Sequence, residues 1–297
     1  FLKIPITYSV VSNIDKEHLD YYKNFNNLYK SFETFINKTP LIGKSFVCTD
    51  DKFLKKILRK KNKSNIITYG FGNGSDLHPY NVKNSGKMMF FNISVKLNNK
   101  IEHIKNIELN LLGRHNVLNA TAAIGVAKSL GIKNNIIKKT LKNFLGVQRR
   151  LTKITNFRGS DIYDDYAHHP TEITSVLNAI KSGFKGKKIV TVFQPHRYSR
   201  VASLKKEFAN AFKDSDLVVL CPIYAASEKP IKNINHYELA KLIKKNSKKD
   251  VICIENQFDL ERFIKRHTYG NEVIVCMGAG SISSWIREIA INLKNEH

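Results

Sequence analysis

The chain has 297 residues, of which 42% are hydrophobic, and it carries 49 Lys and Arg residues against 25 Asp and Glu residues. This composition excludes a disordered chain, because so much apolar sequence is typical of proteins with packed cores. No apolar run approaches the roughly 20 residues that cross a bilayer, so we predict no membrane insertion. The beginning of the chain lacks the basic segment and cleavage site of a signal peptide. Four widely spaced cysteines predict free thiols in a reducing cytoplasm.

The net charge of +24 is spread along the whole chain. Its densest run, at 54–64, predicts a helix with Leu54, Ile57 and Leu58 on one face and the cations on the other. A solvated helix face explains this pattern, and a dedicated nucleic-acid patch is the alternative. We predict that the chain does not bind nucleic acid, and that its charge favours a polyanionic small substrate.

The first half of the chain mixes helices with strands. Apolar periodicity predicts a helix over 15–37. Its buried stripe consists of Leu28, Phe32, Phe35 and Ile36. Short strands are predicted at 44–50, 65–71 and 87–97, followed by a helix over 116–130 that ends at Gly131. The GFGNG segment at 70–74 is similar to a phosphate loop, but no helical pattern follows it, which favours a turn.

The second half repeats strand and helix with short loops. The predicted strands are 160–166, 187–193, 215–221, 250–255 and 271–277. The predicted helices are 171–182, 203–213, 236–245, 257–266 and 281–293. This alternation implies right-handed crossovers and a mostly parallel, doubly wound sheet that is covered on both faces. The predicted fold class is therefore α/β, with a Rossmann-like second domain.

Two of these strands end in ionisable residues, in the segments DDYAHHPTE (164–172) and FQPHRYSR (193–200). Ligands of parallel α/β sheets bind beyond the carboxyl ends of strands, so we expect a site for a charged substrate there. Asp165 can accept two hydrogen bonds from a ribose diol, and the pair Arg197 and Arg200 suits a carboxylate or phosphate. The alternatives are a capped turn with solvated histidines and a basic surface turn.

Two further segments leave two interpretations open. Asn116 and Asn119 lie three residues apart near a helix start, so both amides share a face that suits the edge of an adenine ring. Helix capping by Asn116 or His115 is the alternative. The segment 278–280, Gly-Ala-Gly, opens a helix N-terminus that could hold an anion, or it forms a tight strand-to-helix turn.

In order and spacing, the motifs GRHNVLNATAA, RRL, DDYAHHPTEI, FQPHRYSR, IYAASEKPI and GAGSI resemble the Mur ligases. The opening VVSNIDKEHLDYY is similar to the central domain of that family, so the resemblance covers essentially the whole chain. It implies that 1–149 is the C-terminal remainder of a central, mononucleotide-binding ATP domain and that 150–297 is the C-terminal Rossmann-like ligase domain. The P-loop and the N-terminal domain of the family would then precede the first residue.

The resemblance implies an amide ligase that uses ATP and Mg²⁺. The motifs HHPTE and FQPHRYSR are most similar to the branch that joins L-alanine to UDP-N-acetylmuramate through an acyl phosphate, in peptidoglycan precursor synthesis. The nearest alternative is the branch that recycles murein tripeptide onto UDP-N-acetylmuramate, and a more distant one is a non-catalytic basic binding protein. Since a P-loop normally cradles the phosphates, we expect the chain to be inactive alone.

The resemblance also implies roles for individual residues. His18 matches a magnesium ligand. Adenine and ribose contacts are matched by His115, Asn116, Asn119 and Asp165. Arg150 matches an invariant, catalytic arginine at the domain junction. The residues that hold the amino-acid substrate near the reaction centre are matched by Tyr166, His168, Arg197 and Arg200, the last three also as catalytic residues. Two positions depart from the family pattern, Pro222 and Ser281.

Overall fold

Two six-stranded sheets organise the chain, one in each of the two units, 1–144 and 145–297, into which the computed structural model divides. The structure describes residues 1–59 and 65–295, so the cations predicted at 60–63 lie outside the described residues. Within these described ranges, no helix is long and apolar enough to cross a membrane. The division falls before the predicted one at 149/150, because the carbonyl of Arg149 accepts the backbone N–H of Tyr166.

The sheet of the first unit has the order β1-β2-β3-β4-β5-β6, with parallel pairing from β1 to β4 and antiparallel pairing from β4 to β6. Its strands are β1 Tyr8–Val11, β2 Lys44–Cys48, β3 Ile66–Tyr69, β4 Leu77–Ser85, β5 Met88–Leu97 and β6 Lys100–Leu109. Its helices are α1 Leu19–Tyr22, α2 Phe25–Lys38, α3 Lys52–Arg59, α4 Arg114–Ser129 and α5 Asn134–Asn143. The three predicted strands are confirmed, whereas β4 and β6 were not predicted.

The predicted helix over 15–37 is wrong as a single element. The chain turns at Lys23, whose φ is 67°, and helix α2 starts afresh after Asn24. The Asn24 side chain caps this start by accepting the backbone N–H of Asn27 at 2.9 Å. Asparagine is a better cap than a helix interior residue, so the local sequence favours a break over continuity. The predicted stripe is confirmed, with Leu28 and Ile36 buried in the core of the unit.

Three smaller predictions in the first unit agree with the structure. In α3, Leu54 and Ile57 are fully buried, as the predicted helix face requires. The GFGNG segment forms a turn that leads directly into β4. Helix α4 ends where expected, and Gly131 follows it with a φ of +77°, a conformation that glycine adopts without strain.

The sheet of the second unit has the order β11-β10-β9-β12-β8-β7, and all its pairs are parallel except β7 with β8. Its strands are β7 Thr152–Phe157, β8 Ser160–Asp165, β9 Lys188–Phe193, β10 Leu217–Leu220, β11 Asp250–Cys253 and β12 Glu272–Met277. Its helices are α6 Pro170–Gly183, α7 Tyr198–Ser203, α8 Lys205–Asn210, α9 His236–Ser247, α10 Gln257–His267 and α11 Ile282–Lys294. The predicted mostly parallel sheet is confirmed, and β7 adds an antiparallel edge.

The neighbouring inner strands β8 and β12 are buried along their whole length, as strands of a sheet covered on both faces are. The predicted helix at 203–213 is shorter, and a separate short helix, α7, precedes it. All four cysteines are free thiols, and Cys48, Cys221 and Cys276 are buried. Burial raises the pKa of the Cys48 thiol, so these cysteines are apolar packing groups at neutral pH.

Candidate amino-acid and nucleotide site

The carboxyl ends of four neighbouring strands, β10, β9, β12 and β8, carry the polar loops of the second unit. Backbone hydrogen bonds hold these loops side by side. The N–H of Gly278 donates to the carbonyl of Asp165 at 3.1 Å, and the N–H of Gln194 donates to that of Met277 at 3.0 Å. The structure therefore brings the DDYAHHPTE and FQPHRYSR motifs to one edge, where open α/β sheets bind ligands.

A row of four rings runs along this edge, formed by Tyr166, His168, His196 and Tyr224. The ring centroids of Tyr166 and His168 are 5.1 Å apart, and those of His168 and His196 are 5.9 Å apart. The His196 ring stacks on Tyr224 with centroids 5.5 Å apart and an interplanar angle of 15°. His196 and Tyr224 were not among the predicted site residues, although the stacked pair lies at the centre of the edge.

His196 also holds one of the two predicted arginines. The Nη1 atom of Arg200 lies 3.1 Å from His196 Nδ1 and 3.1 Å from the His196 carbonyl oxygen. Arg197 precedes α7 with a φ of 69°, and its N–H donates to the carbonyl of Tyr224 at 2.8 Å. Both guanidiniums thus start from backbone that is fixed at the sheet edge.

The charge state of His196 follows from these contacts. Burial and the nearby Arg200, His168 and Arg197 lower the pKa of His196 from 6.5 to about 4. The ring is therefore neutral at pH 7. Since the guanidinium of Arg200 can only donate, Nδ1 of His196 is its acceptor and Nε2 carries the proton. The edge thus presents a neutral N–H donor beside two cations.

This lowered pKa predicts an acid-sensitive contribution to stability. The unfolded chain binds a proton at His196 below about pH 6.5 while the folded chain resists it down to about pH 4, so stability is lost as the pH falls through this window. We expect His196→Asn to flatten the acid side of the stability curve relative to the original chain. Urea unfolding of both proteins at pH 4.5 and pH 7.5 measures this. The expectation is contradicted if the two proteins differ in unfolding free energy by the same amount at both pH values.

Asp165 occupies a more enclosed position than its predicted ribose contact suggests. Its side chain is 2% exposed. One carboxylate oxygen accepts the N–H of Ala167 at 2.7 Å, and the other accepts the N–H of Leu151 at 2.7 Å. Burial is the main cause that raises the pKa of Asp165 from 3.8 to about 6. Each oxygen therefore already accepts a backbone N–H, and only the remaining lone pairs are available to a ligand.

The two adjacent arginines at the start of the second unit have different surroundings. Arg150, the predicted catalytic residue, has a side chain that is 55% exposed and lies 3.8 Å from Glu172. Arg149 was not predicted, yet its Nη2 donates to the carbonyl of Gly278 at 2.7 Å and its guanidinium lies over the Tyr166 ring at 4.5 Å. Arg149 is thus the arginine that joins two loops of the edge.

Glu172 organises the turn that carries the two histidines. Its Oε2 accepts the backbone N–H of His168 at 3.0 Å and that of His169 at 3.2 Å, while His169 caps helix α6. His168 Nδ1 lies 2.9 Å from the carbonyl oxygen of Tyr166. A carbonyl only accepts, so this nitrogen carries the proton in the neutral ring and Nε2 is the acceptor atom.

The Gly-Ala-Gly segment at 278–280 forms a tight turn whose following amide is already bonded. Gln194 Oε1 accepts the N–H of Ile282, and its Nε2 donates to Ser281 Oγ, each at 3.0 Å. Ser281, one of the two departures from the family pattern, therefore takes part in fixing this turn.

Gly280 lies so close to its neighbours that a side chain would displace them. A Cβ atom there would lie 2.5 Å from Gln194 Oε1 and 2.5 Å from Cγ of Tyr224. We expect Gly280→Ala to lower the free energy of unfolding by roughly 1–3 kcal/mol through overpacking. Thermal unfolding tests this with Gly72→Ala as control, since a Cβ at Gly72 meets nothing within 4 Å. Equal stability of the two variants would contradict the expectation.

The predicted nucleotide residues of the first unit lie around the start of α4. The Nδ2 of Asn116 donates to the carbonyl of Leu112 at 2.7 Å, and the Nδ2 of Asn119 lies 3.4 Å from Asn116 Oδ1. His115 is the second residue of the helix. The guanidinium of Arg114, which was not predicted, lies 3.8 Å from the ring centroid of Phe71 in the GFGNG turn. Asn116 thus both closes the helix start and offers its oxygen to the exposed Asn119 amide.

His18, the predicted magnesium ligand, is exposed and precedes α1 in a left-handed conformation with a φ of 54°. Across 1–59 and 65–295, no three His, Cys, Asp or Glu side chains are grouped so that they could hold a metal ion. One imidazole does not form a site for Mg²⁺, which prefers several oxygen ligands in octahedral geometry. These residues by themselves therefore support no chemical step through a metal.

Comparison with known proteins agrees with both sheets. Residues 2–127 match the family described as the Mur ligase middle domain, and residues 149–280 match the Mur ligase, glutamate ligase domain. The UDP-N-acetylmuramate–L-alanine ligase of Pelagibacter ubique is 47% identical over 97% of this chain and 62% of its own length. That of Agrobacterium fabrum is 38% identical over 99% of this chain and 63% of its own length.

Solved structures show the same fold. The UDP-N-acetylmuramate–alanine ligase of Thermotoga maritima covers the whole chain with a TM-score of 0.78 at 24% identity, over 61% of that protein. A murein peptide ligase of Psychrobacter arcticus covers 97% of this chain and 58% of its own, with a TM-score of 0.64 at 20% identity. The chain belongs to the Mur ligase family and contains its middle and C-terminal domains. It spans about three fifths of the length of the relatives it matches.

Proposed function

We propose that the protein containing this chain joins L-alanine to the carboxylate of UDP-N-acetylmuramate with ATP, in peptidoglycan precursor synthesis. The observation that carries the proposal is the Arg200 guanidinium held by His196, with the charge of Arg197 nearby and the His168 ring beside it, at the edge of the second sheet. The similarity to ligases with this activity, at 47% and 38% identity, supports it independently.

In the proposed reaction, the muramate carboxylate attacks the γ-phosphorus of ATP and forms an acyl phosphate, with ADP as the leaving group. The amine of L-alanine then attacks the acyl carbon, so that the amide bond forms, inorganic phosphate leaves and the amine loses a proton. Arg197 and Arg200 hold the α-carboxylate of L-alanine, since paired guanidiniums bind carboxylates in a defined geometry. The neutral His196 adds an N–H donor without adding charge. Tyr166 borders the same space through its contact with the His168 ring.

We propose that His168 receives the proton of the attacking amine. Its Nδ1 carries a proton toward the Tyr166 carbonyl, so Nε2 of the neutral ring is the atom that can accept another. Arg150 is the catalytic cation of the proposal, because its exposed guanidinium can offset charge that develops on phosphoryl and carbonyl oxygens. Each of these assignments is a proposal about this chain's own residues.

For ATP, the proposal assigns the adenine to Asn116, Asn119 and His115, and the ribose to Asp165. The exposed amide of Asn119 and the oxygen of Asn116 supply a donor and an acceptor on one helix face. At Asp165 only the lone pairs that do not bind backbone are available. His18 is the proposed Mg²⁺ ligand from this chain and would contribute one nitrogen to a site that a single imidazole does not form by itself.

The test is phosphate release by a completed protein, which we define as this chain joined to the N-terminal portion of the Pelagibacter ubique ligase. It is supplied with MgATP, UDP-N-acetylmuramate and either L-alanine or a murein tripeptide. Release that requires both UDP-N-acetylmuramate and L-alanine supports the proposal. Release with the tripeptide alone assigns the chain to the recycling branch. A folded, ATP-binding protein that releases no phosphate with either acceptor contradicts the proposal.

A further inference from the structure

The acidic side chain of Glu228, at the edge of the second sheet, has no role in the proposed reaction. Glu228 lies in the loop between β10 and α9, far from α7 in sequence. Its Oε2 accepts the backbone N–H of Ser199 at 3.0 Å, and its Oε1 accepts the Ser199 hydroxyl at 2.6 Å. Both bonds join this loop to the first turn of α7, the helix that begins between Arg197 and Arg200.

The same carboxylate is electrostatically coupled to the site. Although burial opposes it, the bonds from Ser199 and the nearby Arg197 lower the pKa of Glu228, so the group is anionic at neutral pH. Its charge also acts on His196, where it opposes the lowering of the histidine pKa by the arginines. Glu228 is thus an acidic group of the β10–α9 loop that interacts with Arg197 and His196 of the candidate site.

Two further contacts tie this loop to the arginines. Tyr224 accepts the N–H of Arg197 through its carbonyl and donates its own N–H to the carbonyl of Pro195. The turn after it closes when the N–H of Glu228 donates to the carbonyl of Ala225 at 3.0 Å. Ala226 and Ser227, inside the turn, have φ values of 47° and 68°, which non-glycine residues rarely adopt.

We propose that Glu228 is a positioning residue that sets the arginine pair for a substrate carboxylate. Its carboxylate fixes the start of α7 through Ser199, and it balances part of the positive charge, so Arg197 and Arg200 keep one geometry before substrate binds. The inference rests on the proposed function, because it concerns how that site selects an amino acid with a free α-carboxylate. Preorganisation of this kind raises affinity by removing the ordering that binding otherwise requires.

The test compares L-alanine with L-alaninamide, which keeps the amine but lacks the carboxylate, in the completed protein. We expect Glu228→Ala to raise the KM for L-alanine about tenfold, with kcat within about twofold and the KM for ATP unchanged. The constants for L-alaninamide should change little, since no carboxylate reaches the arginines. Glu228→Gln, which keeps hydrogen-bonding atoms but not the charge, should have an intermediate effect.

Glu238→Gln is the matched control, because the Glu238 carboxylate pairs with Lys241 one turn along α9. Ser199→Ala, alone and combined with Glu228→Ala, tests whether the effect of Glu228 depends on its bond to the Ser199 hydroxyl. If Glu228 acts through Ser199, the two effects are not additive. Equal losses for L-alanine and L-alaninamide, or unchanged constants for both, would overturn the positioning role.

A binding measurement keeps this test separate from the proposed reaction. The chain and its variants are titrated with L-alanine, and the ring resonances of His168 and His196 are followed by NMR. The inference is supported if the shifts saturate and the Kd for L-alanine rises about tenfold in Glu228→Ala but not in Glu238→Gln. This holds even where the completed protein does not turn over. Identical titrations of all three proteins, or no shift in any of them, overturn it.

Discussion

Arg200→Ala is expected to raise the KM for L-alanine about a hundredfold in the completed protein, while the KM for ATP changes by less than about threefold. The guanidinium is held by two bonds to His196, so its removal takes away a preordered partner of the substrate carboxylate. Loss of one partner of a desolvated charge pair costs roughly 2–5 kcal/mol, and about 2.7 kcal/mol corresponds to a hundredfold change.

Steady-state kinetics with each substrate varied in turn measures the Arg200 effect. Arg262→Ala is the control, because the Arg262 side chain is 62% exposed on α10 and pairs with Asp259. A rise in the KM for ATP that matches the rise for L-alanine would show that Arg200 does not act selectively on binding of the amino acid. Unchanged kinetics in Arg200→Ala would remove the arginine pair from the proposed site.

Asp165→Asn is expected to change how stability depends on pH. The folded pKa of about 6 lies above the unfolded value of 3.8, so the folded chain binds more protons between these values. The contribution of Asp165 is therefore fully present below about pH 3.8 and is lost as the pH rises through 6. From pH 4 to pH 7, the original chain should lose about 2–3 kcal/mol of unfolding free energy relative to the variant.

Urea unfolding of both proteins at intervals between pH 4 and pH 7 measures this difference. Asp214→Asn serves as control, since Asp214 binds Lys181 at the surface and is not enclosed. A difference between the original chain and Asp165→Asn that stays constant over this range would contradict the burial argument. The kinetics of the same variant address ribose binding, where we expect the KM for ATP to rise more than the KM for L-alanine.

Strands β9, β10 and β12 were predictable because they are almost fully buried and form nearly continuous apolar runs between helical patterns. β4 and β6 lack this property, since asparagine and lysine interrupt their apolar residues. The break at Lys23 depended on one capping side chain, Asn24, whose effect is local and small against the periodicity around it. Apolar periodicity alone therefore merged two helices into one.

The approach of His168 to the arginine-bearing motif was predictable, because parallel strands place the residues that follow them at one edge. The hydrogen-bond partners of these residues were not predictable, because they depend on loop conformation and not on strand order. The resemblance singled out Arg150, but nothing in the sequence indicates that Arg149 bonds Gly278 while Arg150 is mostly exposed. The bond from the Leu151 N–H to Asp165 likewise arises from how the segment before β7 folds back onto β8.

The most direct test of the proposed ligation is the transfer of oxygen from the muramate carboxylate to phosphate. UDP-N-acetylmuramate labelled with ¹⁸O in its carboxylate is incubated with MgATP, L-alanine and the completed protein. The released phosphate is then analysed by mass spectrometry. An acyl phosphate route predicts one ¹⁸O atom in each phosphate, released only when L-alanine is present. Alanine-dependent phosphate that carries no ¹⁸O would contradict activation of the carboxylate by ATP and, with it, the proposed reaction.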